Sequence, residues 1–202
     1  MKKIATVFIV LSLVLLSACS VTPESGHLEL ELSEEQIAQL VDETNLEYYD
    51  EFSEYKSLSD PAFPAEFPII ATTIHDYYAE KNKLKIFITT DYAYYNRSEN
   101  IVTLVCGGTV PGTLVYIEDS SGKFFLEKYL EAEDGETHVS SIKKYCTTPV
   151  SGKTIEGLAS RIIENSYDSE LHRQKLIDYL NEHNLKGISL REYPEAELIP
   201  LT

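Results

Sequence analysis

Near its start the chain carries a long apolar stretch, and it then settles into alternating patterns that name its elements. Ile4 to Leu16 is apolar apart from Thr6 and Ser12, and is preceded by Lys2 and Lys3. Further on, Ser33-Glu34-Glu35-Gln36 forms a capping box, and Ile37, Leu40 and Val41 follow at helical spacing. Tyr48, Tyr49, Phe52 and Tyr55 extend that stripe, which predicts a helix from Glu34 to about Lys56, bent or broken near Asn45. Pro61, Pro64 and Pro68 make Ser57 to Pro68 an extended loop.

From Ile69 the period changes from helical to strand-like. Ile69 to Tyr78 and Leu84 to Tyr95 are rich in β-branched and aromatic residues around a polar turn at Glu80 to Lys83. Ile101 to Cys106 is an apolar strand, and Thr113 to Glu118 pairs with Lys123 to Leu130 across Asp119-Ser120-Ser121-Gly122. Gly107-Gly108 and Pro111-Gly112 are expected to interrupt the chain between them. A short helix over His138 to Tyr145, a second capped by Thr154, a third from Ser169 to about Asn184 and an edge strand at Ile188 to Leu190 complete the pattern. The fold class that follows is α+β: a mainly antiparallel sheet of about five strands with N-terminal and C-terminal helices packed on it, covering one face.

The opening stretch changes the picture of where the chain works. Thirteen helical residues rise only about 20 Å against the roughly 30 Å of bilayer hydrocarbon, so Ile4 to Leu16 is a signal peptide's apolar region. Leu16-Ser17-Ala18-Cys19 then resembles the lipobox of bacterial lipoproteins, a branched apolar residue and two small ones before a cysteine. The resemblance covers about twenty residues. It implies cleavage between Ala18 and Cys19, a diacylglycerol thioether on Cys19 and often a further acyl chain such as palmitate, with membrane attachment through that lipid. Two or three acyl chains hold a protein stably where one does not. Ser20 follows the cysteine, in place of the aspartate that tends to retain such proteins at the inner membrane. The expected organisation is a signal peptide over 1–18, a lipidated cysteine and tether over 19–27, and one extracytoplasmic domain over 28–202.

Composition narrows the partners. The signal holds two of the 17 basic residues and none of the 33 acidic ones, leaving a net charge of about −18 on about 184 residues. Such a surface excludes nucleic acid and disfavours lying flat on anionic lipid. Cys106 and Cys146 remain after Cys19 is lipidated, and in an oxidising compartment they are expected to form a disulfide.

Motifs that could carry chemistry are sparse. Ser140 and Ser141 each stand three residues before Lys143 and Lys144, the nucleophile-to-base spacing of penicillin-binding proteins and serine β-lactamases, without a companion Ser-Asp-Asn. Ser151-Gly152-Lys153-Thr154 is similar to the end of a phosphate-binding loop, but Thr147 stands where that loop needs its first glycine. Glu131 to Glu136 lacks the spacing of a calcium loop, and His27, His75, His138, His172 and His183 lack that of a zinc site, so no metal or cofactor is expected. Fourteen tyrosines are the one excess, and Tyr77, Tyr92 and Tyr94 admit two readings: an exposed aromatic platform for a glycan or protein, or, with more weight, tyrosines half-buried where sheet meets helix. Three functions follow: a binding or interaction module facing a protein or polymer of the envelope, which the pattern favours; a serine hydrolase using Ser140 or Ser141 with Lys143 or Lys144; and a structural accessory subunit.

Overall fold

The structure, a computed structural model, describes residues 32–51, 64–165, 168–193 and 195–201. The signal peptide, Cys19, the tether, the helical expectation beyond Glu51 and most of the proline-rich loop lie outside the described residues. No described helix is long and apolar enough to cross a membrane.

The architecture is α+β. Helix α1 (Glu34–Glu51) leads into β1 (Phe67–Glu80), β2 (Lys83–Ser98), β3 (Ile101–Glu118) and β4 (Phe124–Glu131). A turn of 3₁₀ helix introduces α2 (His138–Tyr145), followed by α3 (Leu158–Glu164), α4 (Ser169–Glu182), β5 (Ser189–Arg191) and β6 (Ile199–Pro200). The strand order is β1-β2-β3-β5-β6, and β4 pairs with the other end of β3. All pairings are antiparallel except β3 with β5.

The capping box forms as the sequence requires: the Gln36 N–H donates to Ser33 Oγ at 3.3 Å and the Ser33 N–H to Gln36 Oε1 at 2.8 Å. Helix α1 continues unbroken through Asn45. This side chain is buried and its amide donates to Thr72 Oγ1 at 2.8 Å and Thr90 Oγ1 at 3.2 Å, so it is spent on the sheet and does not compete for the helix backbone. Thr154 caps nothing. It bridges Thr147, and α3 begins four residues later behind Gly157, whose φ of 74° is the left-handed conformation glycine permits.

The largest departure from the expected strands is β3, which passes through both glycine pairs without a break. At Gly107 a Cβ would stand 2.5 Å from the Tyr92 carbonyl oxygen, so only glycine lets β2 come this close. Gly108 and Gly112 lie under the rings of Tyr92 and Tyr129, which supply the packing the glycines lack. Pro111 is tolerated because its nitrogen lies at the strand's outer edge, beyond the end of β4.

Helices cover both faces of the sheet, against the expectation of one. Successive residues of β2 point opposite ways, and Leu84, Ile86 and Ile88 pack with Ile37 and Val41 of α1. On the other face Phe87 meets Ile142, Cys146, Leu158 and Ile162 of the α2–α3 region, while Ala93 and Tyr95 meet Leu176 and Leu180 of α4. Burial on both sides explains why β2 reads as almost continuously apolar.

Candidate functional site

A groove of about 560 Å³ opens on the α4 face of the sheet, where β2 and β3 run out beyond the α2–α3 cluster. Its floor is Ala93, Leu104, Leu176, Leu190 and Ile199, contributed by two long strands, α4 and the terminal β5–β6 pair. Polar groups converge on its walls. Asp91, in the middle of β2, is buried; Thr109 Oγ1 donates to one of its carboxylate oxygens and the Asp168 N–H to the other at 3.4 Å. Burial pushes the Asp91 carboxyl above its usual range, against the opposing effect of the Thr109 hydrogen bond.

His172 faces Asp91 from the first turn of α4, and its Nε2 shares a 3.1 Å hydrogen bond with the Tyr95 hydroxyl. Burial holds the imidazole below its usual value, the Asp91 charge opposing it. Tyr95 is fixed from behind by Phe67, whose ring also stacks on Tyr179 at 4.5 Å. Glu170, Arg173, Glu192 and the exposed Tyr193 form the rim. An apolar floor with a few oriented polar groups is the build of a binding site.

The residues singled out from sequence lie elsewhere. The Ser140 hydroxyl donates to Thr137 O at 2.8 Å; that of buried Ser141 donates to His138 O at 2.7 Å and accepts from the Glu133 N–H at 2.9 Å. Lys143 and Lys144 are exposed, and no hydrogen bond joins either to a serine among the described residues. The cysteines are not brought together. Both thiols are free: Cys146 is buried at the end of α2 with Phe87, Ile142 and Leu158, while Cys106 lies on β3 opposite Tyr94. Burial raises both thiols, Cys146 to about 11.

The tyrosine platform is not exposed either. Tyr94 is buried and Tyr77 and Tyr92 are half-buried, since α1 lies over this face. Their hydroxyls and rings seat the helix instead: Tyr94 donates to Tyr49 O at 3.2 Å, Tyr116 bonds Thr44 Oγ1 at 2.7 Å, and Tyr49 stacks on Tyr92 at 5.0 Å. The phosphate-loop-like turn is occupied from within. Glu80 accepts from the N–H groups of Val150 and Ser151 and from the Ser151 hydroxyl, all at 2.7 Å, and these bonds hold its carboxyl down at about 2.

Among the described residues no group of three His, Cys, Asp or Glu side chains could hold a metal. His75, His138, His172 and His183 are each engaged separately, with Thr89, Glu133, Tyr95 and Tyr179. Sequence reasoning missed Asp91 and Lys85, although both carry a legible signal: a charge inside an otherwise apolar strand. Lys85 is buried and its ammonium donates to Tyr145 O at 2.6 Å and Thr147 O at 2.8 Å, closing the C-terminal end of α2.

Comparison with known proteins places no relative beside this chain: no family model, curated protein or solved structure matches it.

Proposed function

We propose that this chain is a lipid-anchored binding module on the outer face of a cell membrane, and that it takes its ligand in the groove between the β2–β3 ends and α4. The anchoring half of the reading rests on Leu16-Ser17-Ala18-Cys19, and the acidic surface suits a domain that stands off anionic lipid instead of lying on it. The binding half is carried by one observation, the convergence of Asp91, His172 and Tyr95 on an apolar recess large enough for a small ligand or a short polymer segment.

The hydroxyls of Ser140 and Ser141 are committed to backbone groups, so the geometry favours binding over hydrolysis at α2. A photocrosslinking amino acid replacing Tyr193 at the rim, compared in intact cells with the same residue replacing exposed Phe125 on β4, tests the groove. A discrete adduct from position 193 and none from 125 is expected. Labelling that is equal at both positions, or absent from 193, contradicts the reading.

A further inference from the structure

The outer edge of β3 is occupied at both ends and open in the middle. Ile101 to Thr103 pair with β5, and Gly112 to Glu118 pair with β4. Between them, among the described residues, no strand pairs with the outer edge from Leu104 to Val110. The Pro111 carbonyl faces outward, since it accepts from the Ala132 N–H at 2.8 Å. Backbone groups in a strand alternate in direction, so Thr109 and Gly107 turn their N–H and C=O groups the same way, into the slot. Gly107, Gly108 and Thr109 are exposed, and they line the groove already described.

We infer that the ligand is an extended polypeptide segment carrying a lysine or arginine, which adds itself as a strand to β3 between β4 and β5. This deepens the binding reading above and rests on it. Unpaired strand edges are templates for main-chain hydrogen bonds, and strand addition draws affinity from those bonds and specificity from pockets under alternate side chains. Seven residues of slot, Leu104 to Val110, span roughly 23 Å, room for a segment of about six residues.

The choice of a basic segment comes from charge. Asp91, Glu170 and Glu192 line the groove, and the rim cation Arg173 is directed at the Pro200 carbonyl at 3.4 Å. A second copy of this chain is a poor occupant, because β4 and β5 flank the slot and would meet an incoming sheet edge, and because each copy is strongly acidic, with 33 acidic against 17 basic residues over the whole chain. A single strand with a cationic side chain over the floor meets neither obstacle.

The probe is a library of capped hexapeptides presented to the full-length protein in detergent. Enrichment of peptides that alternate β-branched residues with Lys or Arg is expected, with new amide-exchange protection at Gly107 and Thr109 on binding. Thr109→Pro removes an outward N–H that no described strand uses, and is expected to weaken the enriched peptides roughly tenfold or more. Thr109→Val, which keeps that N–H and loses only the hydroxyl, is expected to weaken them less. The exchange measurement on the unmodified protein stands independently should the proline variant fold poorly. No enrichment, protection elsewhere, or equal binding by Thr109→Pro overturns the inference. A position-193 adduct that persists alongside such a failure leaves a groove with a different ligand, whereas loss of both signals removes the binding reading as well.

Discussion

Two buried or half-enclosed charges show how single residues hold this fold together. Glu80 gives the turn from Thr148 to Lys153 the anion its N–H groups point at, and the same bonds depress its carboxyl from 4.5 to about 2. A carboxyl whose value is lowered on folding stabilises the protein above its unfolded value, and that contribution is lost as pH falls from about 4.5 through about 2. Glu80→Gln is therefore expected to lower Tm at pH 7 and to flatten the acid limb of a pH-dependent melting curve. Lys85 runs the other way. Burial lowers its ammonium from 10.5 to about 8, so folding releases a proton between those values and stability rises with pH across that window. Lys85→Met should abolish that rise. It should also cost about 1–3 kcal/mol in denaturant unfolding at pH 7, since the Tyr145 and Thr147 carbonyls lose their donor.

At the scale of elements, local chemistry was legible wherever a residue acts on its own neighbours. The Ser33–Gln36 box, the bounds of α2 and the apolar run of β2 follow from short-range pattern alone. Continuity of β3 did not, because Gly107, Gly108, Pro111 and Gly112 read as breaks until Tyr92 and Tyr129 are known to lie over two of them. Helix α4 starts at Ser169 as its pattern predicts, and its cap is Asp168, whose side chain accepts from the Leu171 N–H at 3.0 Å. Asp168→Ala is expected to cost about 1 kcal/mol by chemical denaturation. Leu180→Ala, which empties a position between α4 and the sheet, is expected to cost about 2–5 kcal/mol and to loosen the groove wall.

Across the whole molecule, the periodicity of α1 identified its apolar stripe but carried no information about which face of the sheet it would meet. That choice places the tyrosines under a helix and leaves the groove on the opposite side. Asp91 alone carries a signal in the sequence, a charge within an apolar strand; its grouping with Thr109 and His172 does not, because the three come from separate elements joined only by strand register and the packing of α4. The same register separates Cys106 from Cys146. Unfolding the protein without reductant is expected to expose two alkylatable thiols at these positions; fewer than two would show a bridge that this geometry does not form.

The setting proposed for the groove, a domain standing off a membrane, rests on the proposed lipid at Cys19. The intact mass of protein extracted from membranes tests that directly. The expected species lacks residues 1–18 and carries a diacylglyceryl group on Cys19, with or without a further acyl chain. A mass equal to the full unmodified chain, or to a processed chain without lipid, contradicts the account.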